Sequence, residues 1–191
     1  MEKVIEIAVE GVDGVGKSSV VAALAERLTP FSRPYTCNPY HTARRINGGD
    51  DIYPLWATFS GSVKAVDLLK SAFSEERDKA AEADAQLIVF DRHWLTAFTE
   101  IGNDPELVEA WGEDMPRTAL LIPTGEHIAR VEDTDIWDQP TEREQYKRRY
   151  QEQAWAHFPQ MIGHYLMDRR NMDWSVEAVS TQIDSDMRYR R

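Results

Sequence analysis

The sequence predicts an α/β fold in which a parallel sheet carries helices on both faces. Three observations predict it. Short apolar runs recur along the chain, "VIEIAV" at 4–9, "QLIVFD" at 86–91 and "TALLIP" at 118–123. Between them lie segments whose apolar residues repeat at helical spacing. The first run enters such a segment through a glycine loop, giving the strand, loop, helix order of a phosphate site. Strands that alternate with helices pair in parallel through right-handed crossovers.

Each element has its own signature. Residues 4–9 are rich in β-branched side chains and stop at a glycine, as a buried strand does. Val20, Val21, Leu24 and Leu28 then share one helical face, and Pro30 ends the pattern. "PYTC" at 34–37 is a weaker strand closed by Pro39. From about Asp51 to Ala83, Leu55, Phe59, Val63, Val66, Leu69 and Phe73 recur at helical spacing, with room for a break. The runs at 86–91 and 118–123 have the continuous apolar character of strands covered on both faces. A charged helix is expected over 141–158, a last strand over "HYLMD" at 164–168, and a helix from near Ser175. Gly11, Asp91 and Asp168 fall at the carboxyl ends of strands, where such a sheet holds its ligand.

A chain of 191 residues that is 42% hydrophobic has the size and composition of one domain, spanning 1–191. Its net charge of −11 has the wrong sign for a broad nucleic-acid face. The basic tail "RYRR" reads as a helix end that complements the helix dipole. No stretch reaches the roughly 18 apolar residues of a membrane span, and acids interrupt the first apolar run as they would not in a secretory signal. A soluble cytoplasmic protein is expected. Cys37 stands alone, which suits a reducing compartment, and reads as a small buried apolar residue. His157 and His164 have no metal-ligand spacing and read as structural.

Gly11, Gly16, Lys17 and Ser18 fit the pattern G-x-x-x-x-G-K-[ST]. Glycines let successive N–H groups turn inward on phosphates, and the helix that follows presents its positive end. Lys17 is placed to reach the β and γ oxygens and Ser18 to bind Mg²⁺; with Gly14 and Ser19 these residues form the expected ATP cradle. A GTPase would carry Asn-Lys-x-Asp after a strand, which is absent, and a helicase or motor would need a longer chain. A small NTP-dependent kinase remains.

"VEGVDGVGKSS" together with "VFDRH" at 89–93 resembles the thymidylate kinase family. "HIARV", "DQPTEREQYKRRY" and "YLMD" with "SVEAVSTQI" extend the likeness thinly over most of the chain. The resemblance implies a three-layer P-loop kinase fold, a five-stranded sheet of order 2-3-1-4-5, and a short lid at about 131–143. It also implies ATP and Mg²⁺ as cofactors, a nucleotide or nucleoside acceptor, and a homodimer. Asp13 then faces the acceptor sugar, Asp91 orients Mg²⁺ beside Ser18, and Arg92 holds the acceptor phosphate with its planar fork.

The departures from the family concern catalysis and the acceptor. The loop carries Gly14 and Val15 and no arginine, so positive charge over the moving phosphoryl group falls to Arg143 at the end of an acidic lid, with Arg130 before it. Arg170, within "RRN", is expected over the adenine. Asn38 stands before Pro39 where the family has an arginine or glutamate. Trp56 or Phe59 is available to stack on a base, but Ser60 or Ser62 occupies the place of the arginine that reads a pyrimidine edge. Asn38 cannot take a proton, whereas Arg92 can clamp phosphate, with Arg44 and Arg45 downstream of Asn38, so the expected acceptor is a pyrimidine deoxynucleoside 5′-monophosphate, and the missing arginine argues for a modified or larger pyrimidine. Two alternatives stay open: a kinase acting on a 5-hydroxymethyl pyrimidine in DNA, and a non-catalytic nucleotide-binding module.

Overall fold

The computed structural model describes residues 4–29, 33–102, 104–124, 140–168 and 172–189, without the side chains of 140–143, 172 and 187–189. Five strands form one sheet: β1 (Ile5–Glu10), β2 (Pro34–Cys37), β3 (Leu87–Asp91), β4 (Arg117–Pro123) and β5 (Met161–Met167). All pairings are parallel, in the order β2-β3-β1-β4-β5, as expected. Among the described residues seven α-helices accompany them: α1 (Lys17–Leu28), α2 (Pro39–Ile46), α3 (Phe59–Glu82), α4 (Trp94–Ile101), α5 (Pro105–Trp111), α6 (Pro140–Ala156) and α7 (Met172–Tyr189).

The central strands β1, β3 and β4 are mainly apolar because each face of the sheet has its own core. Ala8, Ile88, Phe90, Leu120 and Ile122 point to one side, where α2, α3, α4 and α6 supply Ala43, Val66, Leu69, Phe98 and Ala154. Ile7, Val9, Leu87, Val89, Ala119 and Leu121 point to the other, against Val20, Val21 and Leu24 of α1 and Val179 and Ile183 of α7. Fully burying each such valine, leucine, isoleucine or phenylalanine contributes about 1.5–3 kcal/mol, and helices packed on both faces of the sheet make three layers.

Several elements differ from expectation. The helical segment from Asp51 is broken into a 3₁₀ turn, Tyr53–Ala57, and α3. The Thr58 side chain caps α3 by accepting from Gly61 N, and a Cβ on Gly61 would lie 2.2 Å from Leu55 O. Phe59 therefore starts a new helix and is exposed, rather than continuing an apolar face. Strand β5 begins at Met161 instead of His164, because Met161 and Ile162 are buried against β4 and its helices. Helix α7 begins at Met172, ahead of Ser175. Helices α2, α4 and α5 were not expected: α2 and α5 are short, and α4 is buried on nearly every side and so has no polar face to show periodicity. Cys37 is partly buried, and burial pushes its thiol pKa up. Among the described residues no helix is long and apolar enough to cross a membrane.

Candidate active site

The loop between β1 and α1 bends through left-handed backbone at Gly11 (φ 142°), Gly14 (φ 71°) and Gly16 (φ 98°). Glycine is required at Gly11 for space as well, since a Cβ there would lie 2.5 Å from Leu121 O. Buried Val15 anchors the loop to the second core. Gly16 is the N-cap of α1, and no side chain caps that helix. Its first-turn N–H groups and positive dipole end are thus left to an anion.

Lys17 folds back over the loop, donating to Gly11 O and Val12 O at 2.9 Å each and lying 3.6 Å from Asp13 Oδ1. Its side chain is only 6% exposed. Burial draws its pKa down to about 8, while the carboxylates of Asp91 and Glu10 oppose the shift. The β1–β3 register sets Val9 beside Asp91, and Ser18 Oγ donates to Asp91 Oδ2 at 2.5 Å. Asp91 Oδ1 is buried and has no hydrogen-bond partner among the described residues. A hydroxyl and a carboxylate with a lone pair to spare form a hard-oxygen donor set, as Mg²⁺ requires.

Arg92 follows at φ 76°, a left-handed conformation that costs a non-glycine residue free energy. The turn is held from several directions. Arg92 N donates to Val9 O at 3.1 Å, and Tyr40 OH donates to His93 O at 3.0 Å. Glu10 Oε1 accepts from the backbone N–H of His93, Leu95 and Thr96 at 2.7, 3.1 and 3.3 Å. Glu10 Oε2 accepts from Thr96 Oγ1 at 2.5 Å, and that hydroxyl lies 2.7 Å from Tyr150 OH. A fully buried carboxylate therefore caps α4; burial raises its pKa, and the bonds from Thr96 and His93 oppose the rise. So held, Arg92 donates through Nη1 to Tyr53 OH at 2.9 Å and pairs through Nη2 with Asp13 Oδ1.

One cluster thus gathers Gly11, Asp13, Gly14, Gly16, Lys17, Ser18, Ser19, Asp91 and Arg92 at the carboxyl ends of β1 and β3. Other expected residues stand elsewhere. Asn38 caps α2, its side-chain oxygen accepting from Tyr40 N at 3.1 Å and His41 N at 3.4 Å. Trp56 is half-buried against the first core, with its Nε1 buried and unpartnered among the described residues. Phe59 is 51% exposed. Arg44 donates to Gly49 O at 2.8 Å and Arg45 pairs with Glu75, both on the surface. Arg130, Arg170 and residues 131–139 of the expected lid (131–143) lie outside the described residues, as does the side chain of Arg143; residues 140–143 form the first turn of α6. Glu10, Tyr53, Thr96 and Tyr150 were missed. Only Glu10 carried a signal, an acid in the last place of a mainly apolar strand.

No family model matches the chain, and no curated protein sequence does. Among solved structures, the thymidylate kinase of Candida albicans superposes with a TM-score of 0.57 at 14% identity, over 97% of this chain and 93% of its own. At that identity the likeness speaks to architecture, and the five-stranded parallel sheet flanked by helices is the shared feature. The chain has the fold of a P-loop kinase.

Proposed function

We infer that the chain is an ATP-dependent phosphotransferase that moves the γ-phosphoryl group to a nucleotide-type acceptor, with a pyrimidine deoxynucleoside 5′-monophosphate as the best fit. The observation that carries this reading is the contact of Ser18 with Asp91 at 2.5 Å, beside an uncapped helix and a left-handed glycine loop. The buried, unpartnered Asp91 Oδ1 supports this reading, since its spare lone pair can ligate a cation directly or through water. When bound there, Mg²⁺ neutralises charge on the β- and γ-phosphates.

The chain's own residues then divide the work. The N–H groups of residues 14 to 19 hold the donor phosphates, and Lys17 leaves its loop carbonyls for a phosphate oxygen. Arg92 holds the acceptor phosphate, whose oxygen attacks the γ-phosphorus as ADP leaves. Asp13 orients the acceptor side. Trp56 and Phe59 flank the base from the 3₁₀ turn and α3, while Asn38 supports that wall through α2. Arg130 and Arg143 border a lid at 131–143 that serves the transition state, and Arg170 covers the adenine. All of this is read as one domain, 1–191.

ATP turnover should be measured with deoxynucleoside monophosphates and with the free nucleosides. Monophosphates should stimulate ADP formation, free nucleosides should not, and Lys17→Ala should abolish the activity while remaining folded. Faster turnover of a nucleoside than of its monophosphate would overturn the acceptor; full activity in folded Lys17→Ala would overturn the kinase reading.

A further inference from the structure

Arg92 divides its fork between two partners. Nη1 donates to Tyr53 OH at 2.9 Å, while Nη2 pairs with the Asp13 carboxylate. A guanidinium has only N–H groups to offer, so the Tyr53 oxygen accepts and its own O–H hydrogen is left to give. Among the described residues nothing accepts that hydrogen. A free hydroxyl donor therefore stands directly beside the guanidinium.

Several contacts hold Tyr53 in that place. It opens the 3₁₀ turn Tyr53–Ala57, its backbone N–H donates to Asp51 Oδ1 at 3.1 Å, and the buried Ile52 before it anchors the turn in the first core. Its ring stacks on Tyr40, with centroids 6.0 Å apart and 24° between the planes. Tyr40 in turn donates to His93 O at 3.0 Å, one residue beyond Arg92. Ring and hydroxyl are thus tied to the Arg92 turn by two separate contacts, and the donor is fixed before any ligand arrives. The tyrosine is half-buried, and burial pushes its pKa above the ordinary value, so the hydroxyl keeps the proton it has to give.

The other polar residues expected at the acceptor are engaged elsewhere: Asn38 caps α2, Arg44 donates to Gly49 O, and Arg45 pairs with Glu75. We propose that Tyr53 is the second arm of the acceptor-phosphate clamp, its hydroxyl donating to a phosphate oxygen while it keeps its bond from Arg92 Nη1. The phosphate takes Nη2 from Asp13 and the hydrogen from Tyr53, so two adjacent donors grip one anion. A hydroxyl that accepts from a cation is polarised into a stronger donor, and a bond to an ionised acceptor is among the strong ones. The 3₁₀ turn that carries Tyr53 also carries Trp56, which links the phosphate clamp to the wall assigned to the base. This inference rests on the acceptor reading given above, with Arg92 at the phosphate.

The test measures calorimetric binding of thymidine and deoxycytidine, each free and as its 5′-monophosphate, to the wild type, Tyr53→Phe, Arg92→Ala and the double variant. Tyr53→Phe keeps the ring and its stack and removes only the hydroxyl. It should weaken the better-bound monophosphate by about tenfold, the scale of one hydrogen bond to a charged group, and leave the free nucleoside unchanged. The KM for that monophosphate should rise in step while the KM for ATP stays constant. If Tyr53 only steadied Arg92, its hydroxyl would be worth nothing once residue 92 is alanine. A direct donor predicts that Tyr53→Phe still weakens the monophosphate by about threefold or more in the Arg92→Ala background. No loss in that background, or an equal loss for the free nucleoside, would overturn the proposal and leave Arg92 at the phosphate. A wild type that binds neither monophosphate more tightly than its nucleoside would overturn the acceptor reading, and the clamp with it.

Discussion

Ser18 and Asp91 come from opposite ends of the first half of the chain and meet at 2.5 Å, because the parallel pairing of β1 with β3 brings the two strand ends level. Ser18 is exposed in the first turn of α1, whereas Asp91 is buried at the end of β3. What the contact achieves is a paired hydroxyl and carboxylate next to an uncapped helix, with Asp91 Oδ1 still unsatisfied.

Asp91→Asn keeps the shape and an oxygen for Ser18 but removes the charge. Turnover at saturating ATP should fall by about a hundredfold or more, with a smaller loss of ATP affinity. The loss should deepen as Mg²⁺ is lowered. Superimposable Mg²⁺ titrations of variant and wild type would mean that Asp91 only fastens Ser18.

Glu10 acts on the site through Arg92. Glu10→Ala would strip the acceptor from three backbone N–H groups and the Thr96 hydroxyl, all buried. Unsatisfied buried donors cost about 1–3 kcal/mol each, so urea unfolding should show a loss of about 3 kcal/mol or more. Glu10→Gln retains one acceptor oxygen and should lose less stability, yet its kcat/KM should fall through the acceptor as the Arg92 turn loosens. A loss in Glu10→Ala below about 1 kcal/mol would remove the capping role, since a single helix cap is worth that much.

His93 adds a pH dependence. Its ring is fully buried, stacks on Phe73 at 3.8 Å between centroids, and has no hydrogen-bond partner for either nitrogen among the described residues. Burial lowers its pKa from 6.5 to about 3, with the Asp114 carboxylate opposing. Between those values the unfolded chain binds a proton that the folded chain refuses, so stability falls as pH drops through the window from 6.5 towards 3. His93→Phe fills a similar ring site and cannot titrate. The difference in unfolding free energy between wild type and variant should therefore shift in favour of the variant as pH falls from 7.5 to about 5. A difference that stays constant over that range would show that His93 does not titrate on unfolding.

The phosphate loop and strands β1, β3 and β4 are legible in the sequence because what forms them is local. Each strand alternates between two cores, as Ala8 and Val9 do, and so has no polar face to blur the run. The glycines of the loop announce left-handed backbone wherever they stand. Helix α4 is illegible for the opposite reason: its start is fixed by a carboxylate 83 residues earlier in the chain. Asn38 before Pro39 is a local N-cap pattern, and its side chain caps α2. Tyr53, Tyr146 and Tyr150 carry no signal, since their meaning lies in contacts between elements far apart in sequence.

Asp13 raised a difficulty in the sequence, an acid inside a cradle for anions, and its position resolves into a choice between two cations. It pairs with Arg92 and lies 3.6 Å from Lys17, at 35% side-chain exposure. An incoming acceptor phosphate must take Arg92 from it, and the bidentate fork of arginine favours phosphate once both compete. Removing the charge should make that exchange easier. Asp13→Asn should lower the KM for a monophosphate acceptor by a few-fold, the scale of a partly exposed ion pair worth about 0.2–1 kcal/mol. It should also lower kcat, because an amide oxygen accepts the sugar hydroxyl less strongly than a carboxylate does. Salt screens the competing pair in the wild type, so raising ionic strength should narrow the difference in KM. The KM for ATP should stay constant, since the variant keeps Lys17 for a phosphate oxygen and the uncapped N–H groups of α1. A change confined to the KM for ATP would place Asp13 on the donor side and leave Arg92 to hold the acceptor phosphate alone.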